Sequence, residues 1–167
     1  MSASSEFTAT HAEFFEDGID YVANPEALEG RWLQEWQREL EKRLEYSDFI
    51  GVITVNTLRT DIDPGRRTSY RLLATVDKSL YGNAPQEGLS LVVRDGQAGY
   101  ETVDGNQRRI LNEKFVVFVK WYETEDDSVL AHWHLSPASK TIVQHVQELI
   151  DRRDEAKSHI RVVTHEN

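Results

Sequence analysis

The 167-residue chain has no cysteine, no long run of apolar residues, and no lysine or arginine among its first 30 positions. The absence of cysteine excludes disulfides, thiolate metal sites and thiol nucleophiles. Because no apolar run is long enough for a signal peptide or a membrane helix, we expect no membrane insertion. We expect a soluble, cytoplasmic protein, or a periplasmic protein or lipoprotein if an export signal was removed ahead of Met1.

The charge of the chain is mainly negative. Its 29 acidic and 19 basic residues give a net charge of −10, so we expect no nucleic-acid partner, since affinity for phosphates depends on clustered Lys and Arg. We call residues 1–23 the arm, and we expect its aromatic side chains to dock, on one end of the chain's own barrel or on a partner, while its carboxylates face water or a basic partner. The acids of the first 30 residues are Glu6, Glu13, Glu16, Asp17, Asp20, Glu26 and Glu29.

Two helix patterns flank the centre of what we expect to be a single domain, residues 1–167. The first, residues 24–46, starts with an Asn suited to the N-cap and a Pro suited to the first helical position, and its apolar residues recur at helical spacing. The second, residues 136–156, starts with Ser and Pro in the same roles. Residues 157–167 are a tail that fits either an edge strand or a loose terminus.

Between the helices, residues 48–135 contain short β-branched apolar runs separated by gaps too short for crossover helices. The pattern predicts an α+β fold with an antiparallel OB-like β-barrel of about six strands. Residues 49–58 and 115–122 are apolar on both faces, so they are predicted to be central strands. An Asp-Gly pair also predicts a hairpin between residues 100–103 and 108–111.

Three stretches of this region carry a family resemblance. They are Ser47 to Val55 as a first strand, Tyr70 to Gly82 as a second strand and its exit, and Asn112 to Val119 as a late core strand. On these residues, positions 47–122 resemble the netrin-like, or tissue-inhibitor-of-metalloproteinase-like, OB-type barrel of bacterial secreted proteins. The resemblance implies a non-enzymatic binding barrel. Because the chain lacks the N-terminal cysteine of the inhibitors, no functional residue is carried over.

A histidine pair is the sharpest candidate for chemistry. His132 and His134 flank Trp133 in a predicted strand, so their imidazoles are expected on one face, about 7 Å apart. Two ligands of one zinc ion can have this separation, but a site needs at least a third, and the nearest further histidine in sequence is His145. We favour a structural role, with Trp133 in the core, and expect no metal or cofactor.

No nucleophile elbow, phosphate-binding glycine loop or dinucleotide fingerprint is present in the sequence, and no catalytic residue is predicted. The sequence therefore favours a non-enzymatic binding or assembly module that contacts a protein partner or a second copy of itself. The alternative is a metal-dependent enzyme or metal-binding protein centred on His132 and His134. The partner-binding candidates are Phe7, Phe14, Phe15, Trp32 and Trp36.

Overall fold

The protein has an α+β fold built on a six-stranded sheet that curls into a half-barrel. Its computed structural model describes the backbone of residues 7–165 and the side chains of residues 7–158. The α+β class and the two predicted central strands, which are β2 and β5, are confirmed. The strands are β1 (Gly18–Ile19), β2 (Phe49–Ile62), β3 (Thr68–Tyr81), β4 (Leu89–Arg94), β5 (Lys114–Glu123) and β6 (Val129–Pro137).

The strands lie in the order β1-β6-β5-β2-β3-β4. All neighbouring pairs are antiparallel except β1 and β6, where Gly18 lies opposite His134 and Ile19 lies opposite Leu135 in a parallel pair. The prediction of an entirely antiparallel sheet is wrong at this edge, because a short piece of the arm joins the sheet. No ladder joins β4 to β6 in the described chain, so the predicted barrel is open along that side.

The curl of the sheet has two visible causes. Three register shifts interrupt the pairing of β2 with β3 within residues 50–57, and such irregularities increase the local twist and bend of a strand. At the open side, the indole Nε1 of Trp133 on β6 donates a hydrogen bond to the carbonyl of Val92 on β4, at 3.1 Å. The Trp133 side chain therefore bridges β6 and β4 across the open side of the sheet.

Helices cover both faces of the sheet.

Among the described residues, none of the helices combines the length and the apolar content needed to span a bilayer. The helices are α1 (Ala9–Phe14), α2 (Arg31–Tyr46), α3 (Tyr100–Val103), α4 (Gln107–Ile110) and α5 (Lys140–His165).

Both predicted helices differ from the observed ones at their starts. Residues 24–46 are not one helix: Pro25–Ala27 form a single 3-10 turn, and α2 begins only after Gly30. Gly30 has φ of +56°, a conformation that favours glycine and interrupts a right-handed helix. A Ser-Pro pair ends β6 instead of starting α5, and the cap of α5 is Ser139, whose Oγ accepts a hydrogen bond from a backbone N–H at 3.2 Å.

The predicted tail and the predicted hairpin are also corrected. α5 continues to His165, so residues 157–165 form no edge strand, and residues 166–167 lie outside the described range. Residues 100–111 form α3 and α4 instead of two strands, and the Asp-Gly pair joins these single helical turns. Val103 and Ile110 are fully buried. The apolar residues of this stretch therefore pack two helical turns against the inner face of the sheet.

Two apolar clusters hold the layers together. The inner face of the sheet buries Leu72, Leu91 and Trp133 among others, with α3 and α4 packed over them. The outer face buries Ile50 and Phe118 against α1, α2 and α5. The arm contributes to both clusters, which places it as part of the fold.

Candidate functional site

Asp17 fixes the arm to β6. Its backbone N–H donates to the carbonyl of Trp133 at 2.8 Å, and its Oδ1 accepts from the N–H of Trp133 at 3.0 Å. The residue has φ of +59° and is 3% exposed. This clamp holds Glu16, Asp17 and Asp20 beside the histidine-bearing face of β6.

His132 is enclosed by aromatic and polar groups. Its Nδ1 lies 2.7 Å from Oδ2 of Asp17, and its Nε2 lies 3.1 Å from the hydroxyl of Tyr122. The ring stacks on Phe7, with 4.0 Å between centroids. Both ring nitrogens therefore have hydrogen-bond partners within the protein.

His134 sits between two carboxylates and is 2% exposed. Its Nδ1 lies 2.5 Å from Oε1 of Glu16, and its Nε2 lies 2.7 Å from Oδ2 of Asp20. Ser136 donates its hydroxyl to the same oxygen of Asp20 at 2.5 Å. The guanidinium of Arg43 lies 3.8 Å from Glu16, so the buried charges of the site are largely paired.

These contacts shift the pKa values of the cluster. Burial by itself lowers the pKa of His134, and Arg43 adds to this effect, but Glu16 and Asp20 outweigh both and raise it above its usual value. Burial raises the pKa values of Glu16 and Asp20, but His134, helped by Arg43 at Glu16 and by Ser136 at Asp20, outweighs burial, so both pKa values lie below their usual values. Burial dominates at Asp17, whose pKa is raised. Each ring nitrogen of His134 faces a carboxylate oxygen, and only the charged imidazole has an N–H for both, so this geometry favours the charged form.

The cluster is built to hold the arm and leaves no ring nitrogen of the pair open. Within the described part of the chain, no group of three or more His, Asp or Glu side chains is placed to hold a metal ion. His145 lies elsewhere, with its ring 5.6 Å from that of Trp36. The expectation that the arm's carboxylates face water is wrong for Glu16, Asp17 and Asp20. These carboxylates lie against the rings of His132 and His134 and the backbone N–H of Trp133, all on β6.

A second feature is the open side of the half-barrel, which we call the seam. It forms a cleft of about 510 Å³ between β4 and the start of β6, and it continues into a smaller cleft of about 140 Å³ beside His132. Two adjacent apolar side chains at its mouth, Val129 and Leu130, are 49% and 46% exposed. The residues lining the larger cleft include Arg71, Leu89, Ser90, Val92, Arg94, Trp121, Val129, Leu130 and Ala131.

The charge of the seam differs from that of the whole chain. Arg71 and Arg94 line its larger cleft together with Glu87, and Asp17 lines the smaller cleft. Among the described residues, no carboxylate lies within ion-pair distance of the guanidinium of Arg94. The Nε of Arg71 is buried without a hydrogen-bond partner and only approaches Asp61, at 3.9 Å. Arg71 also donates from Nη1 to the Ser90 hydroxyl at 3.0 Å, so the positive charge of the seam that no described carboxylate pairs is that of Arg94.

The sequence analysis did not single out the seam. Val129 and Leu130 follow an acidic turn as consecutive apolar residues at a strand start, and successive strand residues point to opposite faces. One of the two side chains therefore lies on each face of the strand. Because the strand begins beside an acidic turn, this pair of residues could have indicated an apolar side chain exposed to solvent. The missing information was that β4 stops short of pairing with β6.

The predicted partner-binding residues have different positions in the fold. Phe14, Phe15 and Trp36 are 4%, 1% and 8% exposed, so they pack in the protein's own outer cluster. Phe7 is partly buried against His132. Trp32 is 62% exposed on α2, with the guanidinium of Arg31 5.3 Å from its ring centroid.

Comparison of the chain with protein-family models, with curated proteins and with solved structures finds no match in any of the three.

Proposed function

We propose that the protein is a non-enzymatic binding module that receives part of another protein in the seam. The observation that carries the proposal is the open, partly apolar cleft between β4 and β6, with Val129 and Leu130 about half exposed at its mouth. Exposed apolar side chains that line a cleft are typical of interaction sites. The resemblance of residues 47–122 to netrin-like OB-type barrels, which remains a prediction, points to the same class of function.

The histidine cluster is a weaker candidate for the function. His132 and His134 already use their ring nitrogens to hold Asp17, Glu16 and Asp20. A reacting group or a metal would have to displace these partners and detach the arm from β6. We therefore assign the cluster to stability and the seam to binding.

The energetics of the seam suit a modest, specific contact. Full burial of a Val or Leu side chain contributes about 1.5–3 kcal/mol, and Val129 and Leu130 have about half of that surface left to bury. Each therefore offers roughly 1 kcal/mol to a partner. Because backbone and charged groups also line the cleft, we expect affinity from a few anchors and not from a large flat interface.

The test is a selection of ligands from a phage-displayed library of random decapeptides, with the purified protein as bait. We expect individual peptides to bind in a fluorescence polarisation assay, and Leu130→Glu to weaken them by at least about tenfold. The matched control is Ile62→Glu, which adds the same charge at an apolar side chain that is 71% exposed on the β2–β3 hairpin, away from β6.

The proposal fails if no peptide binds, or if Leu130→Glu and Ile62→Glu leave binding equally strong. Analytical ultracentrifugation of the protein without peptide tests whether a second copy of the chain occupies the seam. A dimer that Leu130→Glu dissociates would show that a second copy fills the seam, which would overturn the assignment to a different protein.

A further inference from the structure

We propose that the segment bound in the seam is an extended one, which adds a strand to the free edge of β6 and places a carboxylate on Arg94. This inference rests on the proposed function, because it describes the ligand of the same cleft. Strand addition supplies affinity through main-chain hydrogen bonds, while side-chain contacts supply specificity.

The direction of the backbone groups supports strand addition. On β6, the N–H and carbonyl of Trp133 point away from β5, since they bond to Asp17 of the arm. Residues two positions apart in a regular strand point the same way, and the pairing of β5 with β6 has no register shift. Ala131 and Val129 therefore also present N–H and carbonyl groups to the seam, and β1 is too short to reach them.

β4 presents an edge on the opposite side of the seam. The carbonyl of Val92 bonds to the Trp133 indole and not to β3, while Asp95 donates its N–H back to Thr68 on the side of β3. By the same alternation, the backbone groups of Ser90 point into the seam. Unpaired groups on such an edge are a template for another chain.

The width of the seam favours a strand over a helix. At its closed end one indole ring spans the gap, with 3.1 Å between its nitrogen and the Val92 carbonyl. Neighbouring strands lie about 4.8 Å apart, whereas a helix with its side chains is about 10–12 Å across. Because the indole occupies the gap at this end, an added strand would lie farther along β6, beside Ala131 and Val129.

Arg94 supplies the polar part of the recognition. Its side chain is exposed and borders both the larger cleft and the smaller one beside His132. Its backbone N–H is already bonded to Gln97, at 2.7 Å, so its position is fixed while its guanidinium lacks a carboxylate partner among the described side chains. Arginine binds carboxylates through two parallel hydrogen bonds, which identifies an Asp or Glu side chain of the ligand.

The test uses the tightest decapeptide from the selection and measures amide hydrogen exchange of the protein by NMR. We expect the bound peptide to slow exchange at Val129, Ala131 and Ser90 by at least about tenfold, and to leave residues 62–68 of the β2–β3 hairpin unchanged. N-methylation of alternate peptide residues removes the N–H donors on one side of an extended strand. Of the two possible methylation patterns, the one that removes the donors facing β6 should abolish binding.

The charge contact is tested separately. We expect the peptide to contain Asp or Glu. Arg94→Gln should weaken binding of this peptide by about tenfold. The same substitution should not change binding of a peptide in which that Asp or Glu is replaced by Asn or Gln. Arg38→Gln, an exposed position on α2, is the matched control and should change neither.

The outcomes separate the two proposals. A peptide that Leu130→Glu displaces, but that protects none of the three amides, overturns strand addition and leaves the seam as a binding site. A peptide whose affinity does not change with Arg94→Gln overturns the carboxylate contact. Tighter binding by a variant lacking residues 2–6 would show that the chain's own N-terminus competes for the seam, and that also overturns the proposal of a separate protein as the occupant.

Discussion

Replacing Asp20 with asparagine removes one negative charge from the buried cluster without changing the size of the side chain. The carboxylate of Asp20 accepts hydrogen bonds from His134 at 2.7 Å, from Ser136 at 2.5 Å and from the N–H of Val22 at 3.0 Å. The amide oxygen of asparagine can keep neutral bonds, but the charged partner of His134 is lost. A hydrogen bond to a charged group contributes about 1.5–3 kcal/mol, so we expect Asp20→Asn to lower the free energy of unfolding by about 2 kcal/mol at pH 6.

The cost should depend on pH, with a sign that follows from the pKa of His134. That pKa is raised in the folded protein, so its contribution is fully present below its usual value of about 6.5 and is lost as the pH rises through the raised value. Above it the neutral imidazole has one N–H for two carboxylates, Glu16 and Asp20. An asparagine amide can then donate to the bare ring nitrogen, so we expect the cost of Asp20→Asn to fall below about 1 kcal/mol at pH 9.5.

The assay is urea unfolding of both proteins at pH 6 and pH 9.5. Because the two proteins differ only at position 20, the difference between their free energies of unfolding isolates the effect of this side chain. Glu29→Gln is the matched control, because it removes the same charge from an exposed residue, and it should change stability by less than about 0.5 kcal/mol at either pH. Equal costs of Asp20→Asn at the two pH values would contradict the loss of charge from His134 between them.

Three further predictions follow from burial and pairing. Phe118→Ala should cost about 3–5 kcal/mol in urea unfolding, because Phe118 is 0% exposed; a cost near that of Ile62→Ala, at a largely exposed side chain, would contradict the assigned core. Deleting residues 2–20 should lower the melting temperature by more than about 10 °C, since the deletion removes the buried Phe14 and Phe15; an unchanged melting temperature would mean that the arm is not part of the core. The purified protein should contain no stoichiometric zinc, and chelator should not change the melting temperature of the protein or of His132→Ala; one zinc per chain by elemental analysis would reverse this assignment.

The two central strands were predictable because their signals are local. Residues 49–58 and 115–122 are apolar on both faces, which is typical of strands covered by layers on both sides, and β2 and β5 do lie at the centre of the sheet. The helix starts were not predictable to the residue. The Asn and Pro near position 24 do form a capped turn, but the positive φ of Gly30 separates it from α2.

The candidate sites depended on contacts between distant parts of the chain. The spacing of His132 and His134 placed both rings on one face, but nothing local indicated that acids more than 110 residues earlier occupy their nitrogens. Those acids instead suggested a solvated arm, because charge is usually exposed. The seam was equally hidden, since it exists only because β4 and β6 approach each other without pairing.

The most direct test of the central claim is to measure intermolecular NOEs in the complex of the protein with the tightest selected decapeptide. The account predicts contacts from the peptide backbone to Ala131 and from peptide side chains to Leu130 and Val129, in the pattern of an extended strand beside β6. Contacts confined to another surface, such as the exposed Trp32 on α2, would contradict the seam as the binding site.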